Sequence, residues 1–362
     1  MDTKRIIYAN AFNLLPELGP IRLARLFAAA PDLEAAWHWP ANQYIQAGLE
    51  PKIAEKILAA RSAINPEHAY RQMTEAGISL ISTDDPAYPP LLSEIASPPP
   101  LLYIRGNLDC LKAYCLAVVG TRKISAYGKQ AVHKLIPDLA AQNISIVSGL
   151  AFGVDAEALG VSLDCGMRPV AVLATSLQDS ALSPRSNYTL GQRIIDQGCL
   201  VSEYPLGSQV NKGNFPIRNR LISGLAMGTL VIEADERSGS LITAAYALDQ
   251  NRAVFAVPGS IFSDVSRGTN QLLKRGAKLV ASAADITEEL NLDLQIIKST
   301  VTVKATETEA LLLHTLSQQP KTLDELIRET KLTPSQATIA LSMLELNGRV
   351  KNLGNGAYAK IL

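Results

Sequence analysis

The sequence predicts an α/β protein whose core is a parallel sheet covered on both faces, with a small helical domain before it and a helical module after it. Two observations carry this expectation. Between about Gly77 and Ile286, short apolar runs alternate with helical segments, the pattern of strands buried on both faces. Gly-rich and polar stretches follow those runs, at the strand ends where ligands of such sheets sit.

At 362 residues the chain has room for two or three domains. Hydrophobic residues are 47% and charged residues 19%, which supports a large core and argues against global disorder. The formal net charge is +0, so any nucleic-acid surface is a local patch and not a global field. Cys110, Cys115, Cys165 and Cys199 form no CxxC pair, and His38, His68, His133 and His314 are scattered. Neither a metal site, a disulfide framework nor a bound cofactor is expected; reduced thiols in the cytoplasm are. MDTKRIIYANAFNLL lacks the features of a secretory leader. No apolar run approaches the ~18–20 residues that span a bilayer.

Residues 1–72 read as a helical domain of SAM/helix-hairpin-helix type. Leu14–Pro20 leads into Arg22, Leu23, Leu26 and Phe27 at helical spacing, and Gly48–Pro51 leads into Ile53, Ile57 and Leu58. Pro51 suits a first helical turn. Such hairpins offer backbone N–H groups to DNA phosphate; the alternative is a packing module with ordinary turns. Trp37 and Trp39 are assigned to core or interdomain packing.

The core domain is placed over 77–290. Its expected strands are Ile78–Ile81, Leu101–Ile104, Leu116–Val119, Ile144–Val147, Pro169–Leu173, Leu200–Glu203, Thr229–Glu233, Ala253–Val257 and Lys278–Val280. The organising stretch is AVVGTRKISAYG, from Ala117 to Gly128. Gly120 ends a buried strand, Thr121, Arg122 and Lys123 form a loop, and Ser125 caps a helix. That layout exposes helix N–H groups to phosphate, and Arg122 adds a bidentate grip.

Further polar residues follow the other strands. Ser148, Gly149, Phe152, Gly153 and Asp155 come after the second core strand, and Arg185 and Asn187 after the third. Lys212, Asn214, Phe215, Arg218, Asn219 and Arg220 lie in the long stretch after the fourth, and Ser238, Gly239 and Ser240 after the fifth. Together they describe a polyanion site along one sheet edge. Each residue also has a plainer reading. Arg218 and Arg220 are alternatively partners of Glu203 and Glu233, Asp155 and Ser238 helix caps, and Phe215 a loop anchor.

In order, VVGTRKISAYG, SGLAFGVD, SEYPLG, GNFPIRNRLISGLA, VIEADERSGSLITAAYAL, FAVPGSI and RGTNQLL resemble the DNA-processing protein DprA (Smf) family, densely from Gly77 to Ile286. The resemblance implies an extended Rossmann-like core that binds single-stranded DNA. It also implies protection of incoming strands, loading of the recombinase RecA in natural transformation, and a homodimer. Arg122 matches the family's DNA-contacting arginine. Arg185 and Asn187 fall in a YPxxN-like segment, and Gly149, Asn214, Phe215, Arg218, Asn219 and Arg220 match motif positions around the pocket. Asn270, Leu272 and Leu273 are the dimer candidates. Leu159, Ala174, Ser176 and Leu182-Ser183-Pro184 depart from the family pattern, on the side of the second and third strand ends, where a change of pocket shape is expected.

Asn291–Thr306 reads as a linker and 307–362 as a winged helix, with helices at Glu307–Leu316, Thr322–Glu329 and Thr333–Leu346. Thr322 and Glu325 have capping-box spacing. Gly348 and Arg349 open the wing, and Gly354-Asn355-Gly356 turns it. The third helix places Gln336, Thr338, Ser342 and Glu345 outward and carries no Lys or Arg, so contact with protein is favoured over groove reading.

Two functions are weighed. The first is a binding module without catalytic residues. Arg122, Arg185, Lys212, Arg218 and Arg220 neutralise phosphates, the helix N-termini at Ser125 and Ser240 donate, and Phe152 and Phe215 stack bases. Gly120, Gly149, Ser238 and Gly239 complete that site. The second is a nucleotide-binding, N-glycosidase-like enzyme using Asp155, Glu203, Glu233 and Asp235.

Overall fold

The expected strands form β1 (Ile78–Ser82), β2 (Leu101–Gly106), β3 (Cys115–Val119), β4 (Ser145–Ser148), β5 (Val170–Val172), β6 (Cys199–Ser202), β7 (Gly228–Val231), β8 (Ala253–Ala256) and β9 (Lys278–Leu279). In the computed structural model they join one 9-stranded sheet in the order β1-β2-β6-β5-β4-β3-β7-β8-β9. The structure describes residues 3–208, 211–290, 307–316, 320–346, 350–354 and 357–360. The expected linker 291–306, the wing-opening Gly348 and Arg349, and the turn residues Asn355 and Gly356 lie outside them.

Strands β3 to β9 are parallel to one another, whereas β1 pairs antiparallel with β2, and β2 antiparallel with β6. Side chains alternate across the pleat. Leu116 and Val118 of β3 therefore join one apolar cluster, while Ala117 and Val119 join the other.

The helices that cover the sheet follow in chain order. The N-terminal set is α1 (Thr3–Asn13), α2 (Pro20–Ala29), α3 (Leu33–Trp37), α4 (Ala41–Gln46), α5 (Pro51–Arg61) and α6 (Pro66–Glu75). After β1 come α7 (Pro90–Ser93), α8 (Ala126–Ala140), α9 (Val154–Asp164), α10 (Tyr188–Gln197), α11 (Asn214–Gly224), α12 (Ser240–Asp249), α13 (Arg267–Lys274) and α14 (Ala283–Glu289). Val132, Leu135, Leu159, Ile194 and Ile286 place α8, α9, α10 and α14 in the first cluster. Leu92, Leu221, Ile222, Ala244 and Ala247 place α7, α11 and α12 in the second.

The N-terminal helices share the first cluster with the sheet, and residues 1–297 form one compact unit. Phe12 meets Trp37 edge-on, with ring centroids 4.9 Å apart. The Tyr103 hydroxyl of β2 donates to Asn10 Oδ1 at 3.0 Å and accepts from Asn13 Nδ2 at 3.1 Å. Trp37 is buried and Trp39 packs against the same cluster, so both tryptophans serve packing. At the hairpins, Arg22 grips the Glu50 carboxylate through Nε at 2.9 Å and Nη2 at 3.2 Å.

Residues 298–362 form the second unit. Its helices are α15 (Glu307–Thr315), α16 (Leu323–Thr330) and α17 (Pro334–Leu346). Its strands β10 (Lys321–Thr322), β11 (Val350–Gly354) and β12 (Ala357–Lys360) form a 3-stranded sheet in the order β10-β12-β11. Leu312, Leu326, Leu341, Leu344 and Val350 fill its core. The Thr322–Glu325 capping box has both of its bonds. The arrangement is a winged helix.

In the main sheet, the Phe255 ring lies against the backbone of Gly228 on the neighbouring strand. A Cβ at Gly228 would sit 2.7 Å from Phe255 Cε2 and 3.1 Å from Ala253 O. Gly228→Ala is expected to destabilise the protein by about 1–3 kcal/mol through overpacking, measured as a lower urea midpoint at constant m-value.

Candidate nucleic-acid interface

The order of the sheet reverses between β3 and β7: the chain runs outward from β3 through β4, β5 and β6, then returns to place β7 on the other side of β3. Ligands of open parallel sheets bind in the crevice at such a switch point. A cleft of about 410 Å³ opens there, lined by the loops after β3 and β7 and by the first turns of α9, α11 and α12.

The loop after β3 carries the free cations. Arg122 and Lys123 are exposed, line the cleft, and have no ion-pair partner among the described residues. Their loop is anchored on both sides. Thr121 N donates to Glu233 O at 2.7 Å, and Val154 N donates to Thr121 O at 3.2 Å. Gly120 allows this packing, because a Cβ there would stand 2.6 Å from Val154 Cγ2 and 2.8 Å from Glu233 O.

The N-terminus of α8 is not open to a ligand. Ser125 Oγ accepts from Gly128 N at 3.1 Å, as a cap should. The same hydroxyl donates to Glu233 Oε1 at 2.5 Å, and Ser125 N donates to Glu233 Oε2 at 2.9 Å. Glu233 is buried, and a Cβ on Gly128 would overlap its carboxylate. The protein's own anion thus fills the place expected for phosphate.

The N-terminus of α12 is different. Gly239 occupies its N-cap position with no side-chain cap, and a Cβ there would meet nothing within 4 Å. Ser238 Oγ bonds Ser240 Oγ at 2.8 Å and reaches Ser240 N only at 3.4 Å. Ser238, Gly239 and Ser240 all line the cleft. Asn219 joins them through Nδ2 to Gly239 O at 3.3 Å.

Beneath the cleft lies Arg218, only 5% exposed. Its guanidinium donates to Gly149 O at 2.8 Å and, through the same nitrogen, to Val172 O. Burial pushes its pKa down to about 10, opposed by the nearby Asp155 carboxylate. Burial raises the pKa of Asp155 in turn, opposed by Arg218 and by the Gly149 amide, which donates to Asp155 Oδ2 at 3.1 Å. A Cβ at Gly149 would be 2.6 Å from Arg218 Nη2, so this position must be glycine for the guanidinium to fit.

Comparison with known proteins identifies the family. Residues 79–291 match the family described as DNA recombination-mediator protein A, DprA, and residues 298–356 match the DprA winged helix domain. The chain belongs to the DprA family. It is 37% identical to Protein Smf of Synechocystis over 78% of this chain and 72% of that relative. It is 42% identical to the DNA processing protein DprA of Bacillus subtilis, over 61% of this chain and 73% of that one. The solved structure of DNA processing protein A from Streptococcus pneumoniae superposes with a TM-score of 0.69 at 35% identity, covering 80% of this chain and 98% of that one. DNA processing protein A from Helicobacter pylori, whose structure is described as giving insight into a single-stranded DNA binding mode, matches with a TM-score of 0.54 at 30% identity, over 60% and 97% of the two chains.

Within this DprA-family core the expected site residues divide. The cleft brings together Gly120, Arg122, Phe215, Arg218, Asn219, Ser238, Gly239 and Ser240. It adds Lys123, absent from the expected set although it adjoins Arg122. Phe152, Arg185 and Lys212 are exposed but do not line the cleft. Arg185 donates to Asp179 O at 3.1 Å and lies over the Tyr188 ring at 4.3 Å. Asn187 spends its amide on Leu150 O and Ala151 O, at 3.0 and 3.1 Å, bracing a turn in which Leu150 has φ +55. Asn214 reaches Ala174 O at 3.4 Å.

Several expectations are corrected. Arg220 is 8% exposed and paired with the Glu203 carboxylate, and it donates to Ser97 O at 2.8 Å, so it neutralises no phosphate. Gly149 and Ser125 hold the protein's own groups, as described. Glu233 partners Ser125 and not an arginine. The dimer candidates are not among these corrections: Asn270 exchanges bonds with Gly259 at 3.2 and 3.0 Å, and Leu272 and Leu273 are half-buried, so each keeps some surface. Leu159, Ala174, Ser176 and Leu182 are all buried and none lines the cleft, so these departures from the family pattern sit in the core. Of the carboxylates weighed for acid–base work, Asp155, Glu203 and Glu233 have internal partners, and Asp235 accepts from Arg237 N at 2.7 Å.

Framework and surface arginines therefore differ in their expected stability effects. Arg220→Ala strands the buried Glu203 and is expected to cost about 3–5 kcal/mol. Arg122→Ala should stay within about 0.5 kcal/mol of the parent. Urea denaturation of the two variants side by side measures both.

Proposed function

We propose that the cleft and its exposed rim hold single-stranded DNA, and that the protein acts in DNA processing for transformation. The observation that carries this reading is the meeting of unpaired cations, Arg122 and Lys123, with the uncapped N-terminus of α12 at the sheet's switch point. Phosphate is the ligand that both features favour. Arg185 and Lys212 extend the positive surface beyond the cleft. Phe215 in the cleft wall and Phe152, 48% exposed, supply faces for bases. The single-stranded DNA binding described for the Helicobacter pylori relative supports the choice of ligand.

On this reading the bound strand is shielded and handed to RecA in the cytoplasm, with the chain acting as a binding protein and not as an enzyme. A homodimer through the end of the core is part of the proposal. Leu248, 59% exposed, and the half-buried Leu272 line one groove there. The winged helix is assigned to protein contact. Its α17 carries no Lys or Arg and exposes Ile339 and Met343 beside Gln336, Thr338, Ser342 and Glu345. A gel-shift comparison with and without RecA tests the handover: a further, RecA-dependent shift is expected on strands already bound by the chain, and its absence would remove the handover from the proposal.

Because charge dominates the proposed contact, affinity should fall steeply with salt. Arg122→Ala combined with Arg185→Ala is expected to flatten the log–log salt slope by about 1.4, at about 0.7 per phosphate contact on single strands. Fluorescence anisotropy with an oligonucleotide over a salt series measures the slope. An unchanged slope and affinity would remove these arginines from the site.

A further inference from the structure

We infer that Glu233 is a positioning residue that sets the Arg122–Lys123 loop for DNA; the inference rests on the single-stranded DNA reading above. Glu233 follows β7, on the strand next to β3, and holds the loop at both ends. Its carbonyl accepts from Thr121 N at 2.7 Å, before the cations. Its carboxylate accepts from Ser125 N at 2.9 Å and Ser125 Oγ at 2.5 Å, after them. Arg122 and Lys123 lie between these anchors and have no ion-pair partner among the described residues.

The surroundings are shaped for that carboxylate. Gly128, in the first turn of α8, has no side chain where a Cβ would overlap it. Glu233 is 2% exposed, so its charge is met by directed donors in place of water. The alternative partner, an arginine, is absent: Arg218 and Arg220 are bonded elsewhere. Glu233 therefore acts on DNA only through the loop it holds. A fixed loop presents its cations without paying ordering entropy at binding.

The experiment uses full-length protein with Glu233→Gln, alone and combined with Arg122→Ala. Glutamine keeps the shape and one acceptor oxygen but loses the second acceptor and the charge. Single-stranded oligonucleotide affinity should fall about tenfold, the size expected for losing one charge-assisted bond. In the Arg122→Ala background the same change should cost less, because one of the two cations it positions is gone. Hydrogen exchange at the Ser125 amide should accelerate in Glu233→Gln, with exchange at Thr121, whose acceptor is the backbone carbonyl that glutamine keeps, and in β3 and β7 unchanged. Ser125→Ala, which removes one of the three bonds and also the cap on Gly128 N, should lower affinity in the same direction.

An equal loss in both backgrounds would overturn the inference, since Glu233 would then act elsewhere. Unchanged exchange at Ser125 would overturn it as well. If Arg122→Ala leaves affinity intact, the DNA placement itself fails, and the exchange data still decide whether Glu233 holds the loop.

Discussion

The cleft depends on the cost of burying Arg218. A guanidinium removed from water destabilises the fold by several kcal/mol unless its donors are met. The ends of β4 and β5 meet them, turning the Gly149 and Val172 carbonyls toward it. Asp155, in the first turn of α9, supplies the balancing charge. Two strands and two helices thus converge on one side chain. Gly149 is glycine because the guanidinium occupies the space of its Cβ. The floor of the cleft is fixed by these requirements before any ligand arrives.

The same accounting separates the two helix N-termini facing this edge. Both follow a strand and a glycine-containing turn, the arrangement that favours anions. At α8 the anion is Glu233, contributed by the chain. At α12 the N-cap residue is glycine and brings no capping side chain, Ser238 Oγ reaches Ser240 N only at 3.4 Å, and Gly239 is exposed. The place left for a phosphate is therefore one crossover away from the strand–turn–helix that looks most like a phosphate cradle. What the loop after β3 offers is side-chain charge, from Arg122 and Lys123.

The strands of the main sheet were legible because burial on both faces of most of them forces continuous apolar runs, and turns punctuate them; β10 of the winged helix was not anticipated. Strand direction was not: Ile78–Ser82 and Leu101–Gly106 are antiparallel, and periodicity is the same in either sense. The site was legible as a region and less so as a set of contacts. Arg122 and Arg218 are both arginines near a strand end, and what divides them is solvation, which depends on residues far away in sequence. The Arg220–Glu203 pair was among the plainer readings, because two opposite charges beside one loop are natural partners. For Glu233 a signal existed in Gly128, a glycine in the first turn of a helix, where no bend calls for one. Its meaning required the carboxylate opposite.

This separation of framework from surface charge constrains what the site can recognise. With a formal net charge of +0, the chain has no general attraction for polyanions, so attraction must come from the few cations left unpaired at the rim. Aromatic residues are 5% of the chain, and of the two phenylalanines proposed for stacking only Phe215 lines the cleft. Few base faces can then be held, and no ordered set of donors reads base edges. On the proposed function, such a surface binds backbone without regard to sequence. That property suits a protein that must accept any strand presented to it, and it follows from which arginines the fold leaves in water.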